Sequence, residues 1–591
     1  SQLEPNVTSF AHPSQTVNRP LLFLAPVVSC QLCTVDDKFL ILSLGCGHPS
    51  GQFSLGTCDD LAWWPLGLPR NKMVSKTSPV DPNEWRQNEA KALLWDLALP
   101  TFVVQIGSVL PNCVCASYVG RAFGPIYLSG FTLAVLLGNL FQLSLLQGFY
   151  TASDTLSPQA YAAGNHVQVG YIAIRGFLAS IVLVILPLNT ILLFRFTSWM
   201  EWVGEDPQVS RVAYQWYSIY ILALPFYALY NVTWKFLSAQ AILRPLMYVC
   251  AMTCLVILPI SIQVLIRTLG YLGSALAIVV FQASQAILLI LYLYWKRPYT
   301  PGTWPAHWSW QAILQWDSCR HYLVLGVGGM LATSEWVYWE LLSLMIGTLG
   351  VVPLSVHTIP TQVLMVAFMV PLSIGIALSV RLGATLPHSV KRAQQLTVYT
   401  LGGSIVLFGA LAVGLYNAET WIVQLFSNDP NIRQGAHAIW WKVAVYYFNL
   451  SVYGINMGIA TGLGHQWRFG IVTILCLWGF SLPGMYWYAI RGGGGLDLAW
   501  TFIYYPYIAM NLYFGWDFAT TDWHAIRKSI RLREGMDSVD EQMHALIPNG
   551  HSNTDCIQEE MITPSGTLPL QRATVTHNHV STETHYGSMM S

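Results

Sequence analysis

Residues 171–196 read YIAIRGFLASIVLVILPLNTILLFRF, an apolar run whose only charged side chains are those of Arg175 and Arg195. A helix needs roughly 20 mostly apolar residues to cross the hydrocarbon core of a bilayer. This run is long enough to do so, and we predict that it spans a membrane.

The whole chain has the same character as this run. Of its 591 residues, 54% are hydrophobic and only 10% are charged, and its mean hydropathy is +0.45. An ordinary soluble chain is about a quarter charged. Lys and Arg together number 29, as do Asp and Glu, so no basic excess attracts nucleic-acid phosphates. The composition excludes a soluble enzyme, a disordered scaffold and a nucleic-acid-binding protein, and it predicts an all-α membrane protein.

Twelve apolar segments, including the run quoted above, are each near or above the length that spans a bilayer. They cover residues 93–117, 125–150, 171–196, 213–237, 245–267, 270–295, 321–347, 354–380, 397–416, 438–460, 468–490 and 497–519. We predict twelve transmembrane helices from these segments.

Basic residues near the segment ends indicate the orientation, because Lys and Arg are in excess in cytoplasmic loops. Arg527, Lys528, Arg531 and Arg533 follow the last segment, so we place the C-terminal side in the cytoplasm. An even number of spans then puts the N-terminal side there too. We predict an integral multi-pass protein of the plasma membrane or a vacuolar membrane, with both termini cytoplasmic.

The apolar segments and the polar stretches around them predict five regions. They are a flexible N-terminal extension (1–88), a first lobe with spans one to six (89–296), a cytoplasmic linker (297–320), a second lobe with spans seven to twelve (321–523) and a disordered cytoplasmic tail (524–591). Met73 is a candidate initiator, in which case residues 1–72 are not part of the native protein. Cys30 and Cys33 form a CxxC in the extension, but no second CxxC follows, so we expect no metal site.

The chain also repeats itself. Gly124, Leu128, Ser129 and Thr132 match Gly350, Leu354, Ser355 and Thr358 at one constant offset, and Glu205-Asp206-Pro207 matches Asn428-Asp429-Pro430. The matches predict two six-helix lobes related by a pseudo-two-fold axis along the membrane normal. Transporters that rock two bundles around a central site are built in this way.

Segment seven contains two carboxyl groups in the apolar stretch LATSEWVYWELL (331–342). An ionised acid at mid-bilayer costs roughly 2.5–3.5 kcal/mol, so Glu335 and Glu340 are candidates for proton coupling and for binding a cationic solute. Five residues at about 100° each place the two acids about 140° apart, so one can line a cavity while the other lies inside its lobe. Trp336 and Trp339 flank them, and aromatic rings beside a carboxylate suit an organic cation. The alternative is a structural hydrogen-bonded pair.

Other polar residues of the spans are candidates for a substrate cavity. Gln105 in span one and Asn139 in span two can line the cavity or hold helices together. His357 in span eight can relay protons or pack in the core. Asp154 lies in the stretch 152–160, which we interpret as a short capped helix with a structural role.

Three stretches carry a family resemblance. They are ASDTLSPQAYAAG (152–164), EWVYWE (335–340) and VPLSIGIALSVRLGATL (370–386). Together with the twelve spans in two repeats, they resemble the eukaryotic branch of the multidrug and toxin extrusion family over residues 90–520. The first and third stretches contain Asp154, Gln159 and Arg381, which the resemblance assigns to structural motifs.

The resemblance implies a V-shaped cavity between two lobes and antiport of organic solutes against H+, or Na+ in some branches. It implies that Glu335 and Glu340 carry coupling and cation binding. Two positions depart from the family pattern, because Gln362 and Asn449 stand where animal members carry glutamates. Either coupling would then rest on span seven alone, or the substrate preference would have moved away from dications. Gln362 would be a neutral residue of the cavity.

We therefore predict a secondary active antiporter that exports organic cations or xenobiotics in exchange for protons by rocking-bundle alternating access. We expect no cofactor, H+ or alternatively Na+ as the coupling ion, a small organic solute and membrane lipids as partners, and a monomer. Efflux of a citrate-like organic anion or a secondary metabolite, and flipping of a lipid-linked substrate, are alternatives with the same fold. An enzyme would need a catalytic cluster within the spans. A channel would need matching rings in both halves, whereas Val109 and Val114 occupy the positions that match the two acids.

Overall fold

A computed structural model describes residues 82–203, 206–305, 307–426 and 429–536, which fold as helices without strands. The predicted N-terminal extension up to residue 81, with Met73 and the CxxC, and the tail beyond residue 536 lie outside these residues. The long helices are α1 Trp85–Phe123, α2 Ile126–Ala162, α3 His166–Met200, α4 (Pro207–Tyr220 continued by Ile221–Ala223 and Leu224–Ala239), α5 Arg244–Leu269, α6 Leu272–Lys296, α7 Trp316–Gly347, α8 Val352–Thr385, α9 Val390–Asn417, α10 Pro430–Leu463, α11 Gln466–Arg491 and α12 Gly495–Thr520.

Eight of these helices are long and apolar enough to cross a membrane: α1, α2, α3, α5, α6, α8, α9 and α11. The other four, α4, α7, α10 and α12, coincide with predicted spans but contain more polar and aromatic residues. In α10, nearly every residue from Tyr446 to Leu463 is buried. A helix enclosed by other helices need not be apolar on every face, so these helices are consistent with the prediction of twelve.

The matched sequence stretches form matched turns in the two halves of the chain. Gly124 and Gly350 precede α2 and α8 with φ of 84° and 112°, a region that favours glycine. Asp206 and Asp429 cap the N-termini of α4 and α10, and each accepts a hydrogen bond from the backbone two residues on. The same helix-start signals, a glycine with positive φ and a capping aspartate, thus repeat at equivalent helices of the two halves.

The first half (α1–α6) contacts the second half (α7–α12) mainly where α2 crosses α7 and where α8 meets α1 and α2. At the α2–α7 crossing, a methyl group added at Gly148 would collide with the backbone of Met330, and one added at Gly329 with the backbone of Gly148. Two facing glycines therefore permit the close approach of these helices.

Four boundaries differ from the predicted ones. The first helix already includes Trp85, inside the predicted N-terminal extension (1–88). Asp154 lies within α2, which continues through Pro158 to Ala162, so the stretch is not a separate short helix. The seventh helix begins at Trp316, inside the predicted linker. The predicted disordered tail begins with a helix, α13, at Trp523–Glu534, which Asp522 caps and which ends at Gly535 in a left-handed conformation.

Candidate functional site

Glu335 lies inside the second half of the molecule and is 3% exposed. The Tyr507 hydroxyl on α12 donates a hydrogen bond of 2.6 Å to its Oε1. The ring of Tyr507 packs edge-on against Tyr446 and Tyr453 of α10, with centroids 5.0 and 5.2 Å away. All three rings are fully buried. The carboxyl group therefore sits in an aromatic enclosure in which its hydrogen-bond partners, the Tyr507 hydroxyl and the Trp339 indole, are both neutral.

Among the described residues, no basic side chain forms an ion pair with Glu335. A second buried acid, Asp154 on α2, provides a contrast, since Lys235 of α4 reaches its Oδ2 at 2.7 Å. Both partners of that pair are at most 7% exposed. Of these two buried acids, Asp154 has a fixed counter-charge and Glu335 has none.

Glu340 faces the other way, as the predicted angle of about 140° requires. It is half-buried, and its carboxyl group lies beside the Asn139 side chain of α2, in the first half. Asn139 begins a π-helical turn, Asn139–Leu143, in α2. Such turns often mark functional positions in helices. Trp336, one turn before Glu340, is 40% exposed.

The other candidates for the substrate cavity lie at separate places. The Trp339 ring packs 5.2 Å from Tyr446, in the enclosure around Glu335. His357 is 1% exposed, and its ring lies 5.5 Å from Trp500 within the second half. Gln362 is exposed on α8, and Gln105 is buried on α1. No hydrogen bond within the described chain joins these two glutamines to Glu335 or Glu340.

Gln159 of the first motif connects the halves at the end of α2. Its Nε2 donates to the backbone oxygen of Gly462 at 3.1 Å, and its Oε1 accepts a hydrogen bond of 2.6 Å from Arg533 of α13. Nearby, the Thr155 hydroxyl donates to the Thr461 carbonyl at 2.6 Å. Gln159 and Thr155 are buried, and each of these bonds joins the two halves on the predicted cytoplasmic side.

Arg381 of the third motif forms a two-point ion pair with Glu89 near the start of α1, at 2.9 and 2.5 Å. This pair also joins the halves on the predicted cytoplasmic side. Sequence reasoning missed its partner, and it missed the Asp154–Lys235 pair, because the partners are far apart in the chain. Within the described ranges, no group of three or more His, Cys, Asp and Glu residues is placed to hold a metal ion.

An amide ladder lies on the α10–α12 contact, where Asn449 replaces an expected glutamate. Asn511 donates to the Asn449 backbone oxygen at 2.8 Å, and Asn456 donates to the Asn511 side chain at 3.0 Å. Tyr507, the partner of Glu335, lies one turn before Asn511 on α12. A neutral amide therefore stands at position 449, and its hydrogen bonds run along α12 within one turn of Tyr507.

Comparisons with known proteins agree with this architecture. The family model described as MatE matches residues 100–263 and 331–487, one stretch in each half. Multidrug and toxin extrusion protein 1 of Oryctolagus cuniculus is 30% identical over 398 residues, covering 66% of this chain and 67% of that protein. The Homo sapiens protein of the same name is 30% identical over 409 residues, covering 67% and 69%.

Solved structures share the fold. The crystal structure of the eukaryotic MATE transporter AtDTX14 superposes with a TM-score of 0.69 at 21% identity, covering 76% of this chain and 99% of that one. A MOP superfamily transporter from Pyrococcus furiosus, described as having a binding pocket of reverse polarity, superposes with a TM-score of 0.63 at 16% identity, covering 75% and 97%.

Proposed function

Because the chain belongs to the MatE family of multidrug and toxin extrusion transporters, we propose that it is a secondary active antiporter that exports cationic or amphipathic organic solutes in exchange for protons. Membership of this family makes it an integral membrane transporter of small organic solutes, and not an enzyme. The proposal extends to the coupling ion, to the cationic substrate class and to the residues that carry them.

The observation that carries the proposal is the unpaired burial of Glu335. A carboxylate removed from water without a counter-charge is costly, so this site favours either a proton or a cationic solute. The two occupants compete for one negative charge. Such competition in one conformational state links the binding free energies of the two ligands, as exchange requires.

Glu340 is the proposed contact for the solute. It lies between the halves, beside Asn139, where a solute in the central cavity would pass. Trp336, exposed on the same helix, offers a ring face for an organic cation. One helix would then carry the acid at which proton and cation compete, inside its lobe, and a further solute contact at the lobe boundary.

In the proposed cycle, protons entering from the outer side neutralise Glu335 and displace the solute. Reorientation of the halves breaks the hydrogen bonds of Gln159 and Thr155 on the predicted cytoplasmic side. Deprotonation towards the cytoplasm then restores the negative charge and allows the next solute to bind.

The test is uptake of a fluorescent organic cation into proteoliposomes that contain the purified protein, under an imposed pH gradient and, separately, an imposed Na+ gradient. We expect uptake driven by the pH gradient, and its loss in Glu335→Gln. Asp317→Asn is the matched control, because Asp317 is an exposed acid at the start of the same helix. Wild-type exchange in Glu335→Gln, or uptake driven by Na+ alone, would overturn the proposal.

A further inference from the structure

A crevice of about 400 Å³ lies between the two halves, near the start of α1. Its walls are formed by α1 of the first half and by α8 and α9 of the second half. The apolar lining consists of Leu93, Leu94, Ile374, Leu396 and Leu407. The exchange mechanism described above does not use this crevice.

One end of the crevice is basic, because Arg86 lines it and Arg392 lies against the lining residue Trp85. The Arg86 guanidinium lies 4.7 Å from the centroid of the Tyr399 ring, and that of Arg392 lies 5.8 Å from the ring of Trp85. Neither arginine forms an ion pair with a carboxylate among the described residues. The acid of this region, Glu89, is already neutralised by the two-point contact with Arg381. The basic end therefore carries positive charge that aromatic contacts hold in position but do not neutralise.

The apolar lining follows the basic end along the helix axes. On α9 the order is Arg392, Leu396 and then Leu407, which takes the crevice about four turns into the predicted membrane. On α1 the order is Arg86 and then Leu93. On α9, Thr400 and Ser404 line the crevice between the two leucines, and Val406 beside Leu407 is an apolar side chain that is 74% exposed. A ligand that matches this polarity has an anionic head and an apolar tail.

We propose that the crevice binds one anionic phospholipid, with its phosphate at Arg86 and Arg392 and an acyl chain against the leucines. Anionic lipids are enriched in the cytoplasmic leaflet, and the crevice lies on the predicted cytoplasmic side. Because its walls belong to both halves, a bound lipid bridges the closed junction next to the Glu89–Arg381 pair.

Two kinds of variant test the two ends of the site. Arg86→Gln with Arg392→Gln removes the charges, and Arg320→Gln is the matched control, an exposed arginine outside the crevice. Gly403→Leu places a side chain in the crevice, and Gly402→Leu is its control outside the lining. An added Cβ has no atom within 4 Å at either glycine, so both variants should fold.

The measurement is native mass spectrometry of the full chain extracted from nanodiscs of phosphatidylcholine mixed with phosphatidylserine. We expect the wild type, Arg320→Gln and Gly402→Leu to retain phosphatidylserine selectively. Retention should weaken by about fivefold for each arginine removed, since each basic residue near a membrane surface contributes on the order of 1 kcal/mol. Gly403→Leu should also reduce retention.

Competition with inorganic phosphate and with glycerophosphoserine separates a lipid site from a site for a free anion. Neither soluble anion should displace the lipid at millimolar concentration. Equal retention by the double arginine variant and the wild type would overturn the proposal, as would equal retention by the two glycine variants. Displacement by phosphate alone would reassign the site to a free anion. None of these readouts depends on transport, so they are independent of the antiport test.

Discussion

Two of the buried acids, Asp154 and Glu335, predict opposite responses to the loss of charge. Asp154 is 6% exposed and has one cationic partner, Lys235, at 2.7 Å. Its second oxygen, Oδ1, has no hydrogen-bond partner in the described structure. Removing one partner of a buried ion pair typically costs about 3–5 kcal/mol, because the remaining charge stays buried. We therefore expect Lys235→Met and Asp154→Asn each to lower the free energy of unfolding by that amount.

Removing both charges should restore most of the loss. A buried pair replaced by apolar residues of similar volume is often as stable as the original, and here the pair has little additional hydrogen bonding. We expect Asp154→Leu combined with Lys235→Met to lie within about 1 kcal/mol of the wild type, after the usual penalty for imperfect packing.

Glu335→Gln is the contrasting variant. It removes a charge that has no cationic partner, and the amide oxygen can still accept the hydrogen bond from Tyr507. The expected change in stability is within about 1 kcal/mol, the size of one ordinary hydrogen bond. The same substitution of an acid by its amide should therefore lower the free energy of unfolding strongly at position 154 and only slightly at position 335.

The assay is equilibrium unfolding of the purified protein in mixed micelles by titration with a denaturing detergent, followed by tryptophan fluorescence. If Lys235→Met is as stable as the double variant, Asp154 does not need its counter-charge and the expectation is refuted. If Glu335→Gln loses as much stability as Asp154→Asn, both acids are structural and the contrast between them is refuted.

Two further predictions concern the closed end of the molecule. Gly329→Ala should separate α2 from α7 and lower transport at least tenfold in the proteoliposome assay, whereas Gly414→Ala, in open space on α9, should leave it unchanged. Burial, which outweighs the effect of Asp517, lowers the pKa of His465 below its ordinary value of 6.5. The unfolded chain then binds more protons than the folded one, so stability should fall as the pH drops below about 6.5, and His465→Gln should flatten this dependence in thermal melts at pH 5 to 8.

Much of the fold follows from local sequence. Apolar length marks most of the helices, and a glycine or an Asp-Pro pair marks the equivalent helix starts, as at Gly124 and Asp206. These signals act within one turn of the chain, so a single sequence contains them in full. Helix α13 is also predictable from the sequence, because Asp522 and Gly535 are residue types that start and stop helices. Its polar composition led instead to the prediction of disorder.

The site was predictable only in part. Two acids in an apolar stretch are conspicuous because retaining them is costly, and helical periodicity correctly predicted that they face different ways. Their partners were not predictable. Tyr507 lies 172 residues from Glu335, and Lys235 lies 81 residues from Asp154. Many tyrosines and lysines fit such a role equally well, and only the packing of α12 and α4 selects these two.

The partners of the two acids, Tyr507 and Lys235, explain why burial alone does not identify the acid that takes part in transport. Asp154 and Glu335 are almost equally buried, and each comes from a stretch that carries the family resemblance. A lysine satisfies the charge of Asp154 in every state in which α2 and α4 stay together, and both helices belong to the same half. A tyrosine hydroxyl can donate to Glu335 whether or not that acid is protonated, so the site can exchange a proton for a cation without losing its hydrogen bond. We therefore expect an exchangeable acid in such a transporter to be bound by neutral donors from its own half, and a structural acid to be bound by a cation.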